Sequence, residues 1–207
     1  MEKVSLSNMD AFKITDSGTG EIFYGCSQEW FGTDWQKLSG CGPSVVTNIL
    51  MYQNHGAGGE PRDKASAVSL MEEVWKFVTP TRRGIPTVGM LLERVMSYGE
   101  SRGVTICHSE CDVPEEKSRR PSIDAVSSFL GEALGRDAPV AFLNLCKGEE
   151  HNLDEWHWVT VVSVERRESD GHFVIGIIDK GHILSVDMSL WLETTSCGGG
   201  FIHFRAA

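Results

Sequence analysis

At 207 residues, with hydrophobic side chains making up 41% of the chain, the polypeptide is long enough to build one sizeable core, so a single unit over 1–207 is expected. A net charge of −10 argues against a nucleic-acid partner, because phosphate binding needs clustered Lys and Arg. No stretch is long and apolar enough to span a bilayer, and Met1–Asp10 lacks the basic start and apolar run of a secretory leader, which predicts no membrane partner and a cytoplasmic location.

Residues 1–40 are punctuated by Gly18, Gly20, Gly25, Gly32 and Gly40, with short strands predicted at Ala11–Thr15 and Glu21–Tyr24. The first firm helix runs from Pro43 to about Gln53, and Asn54-His55-Gly56 stops it. A loop is predicted over Gly56–Arg62. Asp63 or Ser66 caps a second helix, Lys64–Val78, whose Ala67, Leu70, Met71, Val74 and Phe77 share one face. After a Pro- and Gly-rich break at Thr79–Pro86, a third helix is predicted over Thr87–Tyr98. Val104–Cys107 reads as a short strand and Asp112–Arg120 as an exposed charged loop. Ser122 caps a fourth helix, Ile123–Leu134, closed by Gly135.

From Pro139 the pattern turns to strands: Val140–Leu145, Trp156–Arg166, His172–Ile178, Ile183–Val186 and Phe201–Phe204, with a helical turn at Met188–Leu192. Ser169-Asp170-Gly171 and Asp179-Lys180-Gly181 are hairpin-turn signals. Helices first and an antiparallel sheet afterwards define an α+β class, with a helical part over about 41–135 and a sheet part over about 139–207. The helices are expected on one face of the sheet, with the first holding Cys41 against the strands that carry His157 and Asp179. Strict alternation in the long strand puts His157, Val159, Val161 and Ser163 on one face, and Trp156, Trp158, Thr160 and Val162 on the other.

Cys41 carries the chemistry. Cys41-Gly42-Pro43-Ser44 opens a helix, and Pro43 suits the first turn, where a missing N–H costs nothing. Unpaired N–H groups and the positive end of the helix dipole surround a thiol placed there and favour the thiolate, the reactive form. His157 lies far downstream at the start of a valine-rich strand, and Asp179 ends the following one. A thiol with a distant histidine and acid is a candidate nucleophile set. The other five cysteines (Cys26, Cys107, Cys111, Cys146 and Cys197) read as free structural thiols of a reducing compartment.

In these features the sequence resembles the papain-like cysteine peptidases, closest to the compact branch of bacteriocin-leader (double-glycine) peptidases and their free-standing bacterial relatives. The resemblance rests on Gln36, on Cys41-Gly42-Pro43 with its helix, on His157 and Asp179, and on Trp191 with Gly198-Gly199-Gly200-Phe201-Ile202. It implies a papain-like fold and a thiol hydrolase that cleaves a peptide or amide bond in a peptide or protein substrate, with no cofactor and no metal. By this resemblance Cys41 is the nucleophile, His157 the base and later acid, and Asp179 the group that orients the imidazole. Gln36 would donate to the oxyanion, together with the Cys41 backbone N–H. Gln36 stands one position closer to the cysteine than the family's usual glutamine, and Trp35 holds that usual place, so Gln28 or the backbone is the alternative donor.

Other readings stay open on the sequence. His151 competes with His157, and Asp187 and Asn144 compete with Asp179. Cys107-His108-Ser109-Glu110-Cys111, with Cys146 and His151, is a rival zinc set of irregular spacing. Trp156 or Trp158 would shield the imidazole pair from water. The same fold also serves acyl transfer to an amine, or peptide binding without catalysis.

Overall fold

The protein's structure, a computed structural model, describes residues 3–55 and 62–207. The loop expected at Gly56–Arg62 therefore lies, apart from Arg62, outside the described residues, as do Met1 and Glu2. In chain order come β1 (Val4–Ser5), β2 (Lys13–Thr15), β3 (Ile22–Tyr24), α1 (Asp34–Ser39) and α2 (Cys41–Asn54). They are followed by β4 (Arg62–Asp63), α3 (Lys64–Trp75), α4 (Val88–Ser101), β5 (Ile106–Val113) and α5 (Ile123–Gly135). The remainder is β6 (Val140–Asn144), β7 (His157–Arg166), β8 (Phe173–Asp179), β9 (His182–Asp187), α6 (Met188–Thr194) and β10 (Gly199–Ala206).

Local chemistry sets the helix starts. The side chains of Asp63, Thr87, Ser122 and Asp187 accept from the N–H three residues on, at the heads of α3, α4, α5 and α6. Each such cap contributes about 1 kcal/mol by pairing a donor that the helix cannot satisfy itself.

A seven-stranded sheet runs in the order β5-β10-β6-β7-β8-β9, and β1 pairs with β7 beyond the end of β6. Every pairing in it is antiparallel. A second sheet, β3-β2-β4, is small. The helical and sheet parts are therefore less cleanly divided than expected, since β1 precedes the helices and β5 lies between α4 and α5. β5 is also longer than the strand predicted at Val104–Cys107 and takes up the start of the expected loop. Its run Cys107-His108-Ser109-Glu110 is exposed and has little intrinsic strand preference; pairing along the whole of β10 holds it extended.

Alternation along the central strands feeds two layers of core. Val140 and Phe142 of β6 join one apolar cluster with Val126, Leu130 and Trp191 of α5 and α6. Ala141 and Leu143 join another with Val45 and Ile49 of α2, Val74 of α3 and Leu91 of α4. Helices thus cover both faces of the sheet, rather than one. A β-bulge in β7 between Val161 and Ser163 also breaks the expected alternation, and Val161 and Val162 both enter the first cluster. The fold is α+β, with α2, α3 and α4 on the face that carries the candidate site.

Candidate active site

Cys41 is the first residue of α2, and the short helix α1 delivers it there. Thr33 and Gln36 form a reciprocal capping box at the head of α1. Gly40 then joins the two helices. A Cβ on Gly40 would lie 2.4 Å from the Gln36 carbonyl oxygen and 2.6 Å from the Phe31 ring, so only glycine fits between them. Gly42 is equally crowded, with Ile85 Cδ1 at 2.8 Å from a Cβ built there.

Gln36 is engaged in capping α1. Its Oε1 accepts from the Thr33 backbone N–H and hydroxyl, at 3.1 and 2.9 Å, and its Nε2 donates to Glu72 at 2.8 Å. The side chain is held by the cap and by α3, and it does not line the recess that holds Cys41. Thr33-Asp34-Trp35-Gln36 carries the capping-box pattern in plain sequence, and that pattern points to α1, which the sequence reading leaves irregular.

His157 opens β7, paired with Asn144 of β6, and Asp179 is the last residue of β8. A two-residue turn follows Asp179, with Lys180 and Gly181 at φ 48° and 82°. Positive φ at both central residues marks the hairpin turn whose twist matches the strands. His157 Nε2 lies 2.7 Å from Asp179 Oδ1, and both side chains are about nine-tenths buried. Cys41 lines the same small recess as His157 and Asp179. Burial works against the imidazole's charge, but the influence of Asp179 and then of Cys41 outweighs it and raises the imidazole from 6.5 to about 10. Because Nε2 is taken by Asp179, Nδ1 is the nitrogen left for the sulfur. The three residues expected to act together are therefore brought together.

Asn48, buried on α2, holds these elements in register. Its amide oxygen accepts from the Cys26 N–H at 2.7 Å, and its nitrogen donates to Thr160 of β7 at 3.1 Å. One side chain thus ties the cysteine's helix to the histidine's strand and to the segment that carries Gln28. Gln28 lines the small recess that holds Cys41, His157 and Asp179. Its Nε2 donates to the Lys37 carbonyl oxygen at 2.5 Å, while its Oε1 is buried without a hydrogen-bond partner. Asp154 lies within ligand distance of the His157–Asp179 pair and is bonded to Lys180 at 2.5 Å, a bond that holds its carboxyl below the usual range.

On the other side of the thiol opens a cleft of about 490 Å³. Its walls include Trp35 and Leu38 of α1, Ile85, Leu145, and the tryptophans on either side of His157, Trp156 and Trp158. Trp158 is buried and donates its indole N–H to the Ile85 carbonyl at 2.8 Å, fixing the 81–86 turn beside the site. Trp156 is exposed, with backbone at φ 55°, a left-handed conformation uncommon for a bulky residue. It leads into β7 from outside the strand instead of beginning it. Trp35, Leu38 and the arginines of the 81–86 turn are functional candidates that the sequence reading misses. The spacing of Trp35 and Leu38, three apart on a capped helix, is the available signal for the first two.

The rival residues are engaged elsewhere. Asn144 is fully buried between the Trp191 indole and the Asp154 carbonyl. Asp187 caps α6 and binds Arg167 and His172. His151 is exposed and does not line the recess. The proposed zinc run is the body of β5, and among the described residues three potential ligands gather only at Asp154, His157 and Asp179. Of the other cysteines, Cys26 is buried and its thiol is pushed up to about 12. Cys146 is the exception: a hydrogen bond from the Ser196 hydroxyl, at 3.0 Å, leads the causes that lower it to about 7.

Comparison with protein families finds none that matches this chain, and no curated protein matches it. Among solved structures it is similar to UfSP from C. elegans, with a TM-score of 0.56 and 12% sequence identity. The likeness covers 100% of this chain and 34% of that one, so this chain spans about a third of the length of its structural neighbour. At that identity the likeness establishes the fold, which is papain-like. Among the described residues no helix is long and apolar enough to cross a membrane.

Proposed function

We propose that this protein is a cysteine peptidase, hydrolysing a peptide or amide bond through an acyl-enzyme on Cys41. The observation that carries the reading is that Cys41 shares one recess with the hydrogen-bonded pair His157–Asp179. The thiol proton passes to His157, and Cys41 attacks as the thiolate. The thiolate adds to the substrate carbonyl, and the C–N bond breaks as the His157 Nδ1 proton passes to the leaving amine. A thioester to Cys41 remains. Water, deprotonated by His157, then attacks that thioester, releasing the carboxylic acid and restoring the thiol–imidazole pair. Asp179 keeps the ring oriented throughout.

Gln28 takes the oxyanion role once expected of Gln36. It lies in the recess beside the sulfur, and its Nε2 carries a second hydrogen besides the one given to Lys37. Together with the backbone N–H of Cys41, such a donor contributes on the order of 3 kcal/mol to lowering the barrier. The narrower resemblance to bacteriocin-leader peptidases loses Gln36 as support and rests on the Cys41-Gly42-Pro43 turn and on the closing strand. The substrate in this reading is a peptide or protein, handled by a single papain-like unit.

Iodoacetamide labelling against pH, with mass mapping of each cysteine, tests the reading. Because Cys146 is itself lowered, the experiment is run with Cys146→Ser as background. Cys41 should then label far faster than the remaining thiols at neutral pH, and His157→Ala should remove that advantage. Equal labelling of all cysteines at neutral pH would sink the proposal.

A further inference from the structure

We infer that the cleft beside Cys41 takes a peptide segment in which a carboxylate stands next to a bulky apolar side chain, the two read separately by Arg82 and Arg83 and by the tryptophan-lined wall. This rests on the peptidase reading for what happens to the segment, but its binding half stands on the cleft alone.

The apolar half follows from what the chain leaves uncovered. Trp35 is 42% exposed, Leu38 76% and Trp156 61%, and all three border the same cavity. Large apolar surface gathered around one concavity marks a binding site more often than single exposed residues do. Trp35 and Leu38 stand on a helix held by the Thr33–Gln36 cap, and Ile85 is tied to Trp158. The wall is thus built before any ligand arrives, which limits the ordering cost of binding.

The charged half follows from Arg82 and Arg83. They occupy the two corner positions of a tight turn in which Thr81 and Gly84 exchange backbone hydrogen bonds at 3.0 and 2.9 Å, with Gly84 at φ 73°. Both arginines line the cleft. Among the described residues no carboxylate lies within ion-pair distance of either, although the chain carries 29 acidic residues against 19 basic ones. Arg102, Arg119, Arg136 and Arg167 are each paired with an acid, while Arg62, Arg94, Arg120, Arg166 and Arg205 share the lack of one among the described residues; what sets Arg82 and Arg83 apart is that both line the cleft. Two guanidinium groups left without partners at the mouth of an apolar cleft, in an acidic protein, complement a carboxylate supplied from outside. Guanidinium matches that group in a two-pronged geometry. In a protein of net charge −10, two cationic groups at the cleft favour such a segment there over the acidic parts of the surface.

The test uses two acetylated hexapeptides that share one phenylalanine and differ only in glutamate or glutamine beside it, on each side in turn. Binding is followed by indole fluorescence in the full chain carrying Cys41→Ser, which prevents turnover. The glutamate peptide is expected to bind roughly 1.5- to fivefold more tightly than its glutamine partner, the size of effect that exposed ion pairs give. That preference should shrink as salt rises and vanish in R82Q/R83Q, whose unchanged unfolding midpoint reports an intact fold. Equal binding of the two peptides overturns the proposal, as does a glutamate preference that survives R82Q/R83Q. A concentration-dependent dimer that blocks both peptides would assign the cleft to a second copy of this chain and also overturns it. Failure of the peptidase reading shows elsewhere, in the labelling of Cys41, and leaves this binding result standing.

Discussion

His157 and Asp179 meet at 2.7 Å across the ends of β7 and β8, where neither side chain has more than about a tenth of its surface in water. The contact decides which imidazole nitrogen faces the thiol and, with Cys41, which protonation state the ring holds at neutral pH. A buried imidazole alone would be driven neutral. Two partners of opposite tendency reverse that outcome and raise it to about 10.

A pH dependence follows with a definite sign. The folded value lies above the ordinary 6.5, so protonated His157 stabilises the fold fully below about 6.5, and that contribution is lost as pH rises through about 10. Denaturant midpoints measured between those limits should fall with rising pH in the native protein and fall less in His157→Ala. The His157 ring resonance should titrate near the upper limit; titration near 6.5 would contradict the assignment.

Removing the carboxylate should cost catalysis more than folding. Asp179→Asn keeps the volume but weakens the hold on the charged ring, and turnover of a cleaved peptide is expected to fall on the order of 10²- to 10⁴-fold. The ring titration should shift downward at the same time. A turnover loss without that shift would mean that Asp179 acts through packing alone.

The two glutamines separate catalysis from capping. Gln28→Ala should lower kcat by about 10²-fold through loss of an oxyanion donor, with little change in KM. Gln36→Ala should leave the chemical step nearly intact and destabilise the fold by about 1 kcal/mol, because it opens the capping box of α1 and frees Glu72. Single-turnover kinetics with urea unfolding on both variants makes the comparison.

Gly40→Ala should be among the most damaging small changes in the chain. The added methyl meets the Gln36 carbonyl, which is backbone and cannot swing aside. Overpacking of this kind costs about 1–3 kcal/mol and would shift Cys41 away from His157. Loss of preferential Cys41 labelling, alongside a lowered unfolding midpoint, is the expected pair of signals.

A second reactive thiol is expected at Cys146. Its value near 7 depends first on the Ser196 hydroxyl, so Ser196→Ala should raise it and slow alkylation of Cys146 at pH 7. The rate at Cys41 should stay unchanged. Mass mapping of a timed iodoacetamide reaction reads both sites at once.

Much of this was open to inspection in the primary structure. Ser122 and Thr87 cap helices where their side chains suggest, and the apolar alternation of Val140–Leu143 and the turn at Lys180-Gly181 are local features. Cys41 at a helix start, with His157 and Asp179 on successive strands, was visible because each position depends on short-range pattern. Three assignments escaped it. Beyond Cys107, β5 is a strand only because β10 lies beside it, as its own polar residues do not prefer that state. The second layer of helices depends on where α5 packs, which no residue of α5 encodes alone.

The glutamines make the division clearest. Gln36 has the right side chain near the right place in the chain, and its capping partner Thr33 and distant neighbour Glu72 hold it away. Gln28 lies farther from the thiol along the backbone but beside it in space, because Asn48 binds Cys26 and Thr160 together. Short-range order, set by hydrogen bonds and periodicity within a few residues, was determined by the amino-acid sequence read as a line. Which glutamine lines the recess of Cys41, and which arginines line the cleft, was decided only on folding, because long-range packing brings those groups to one point.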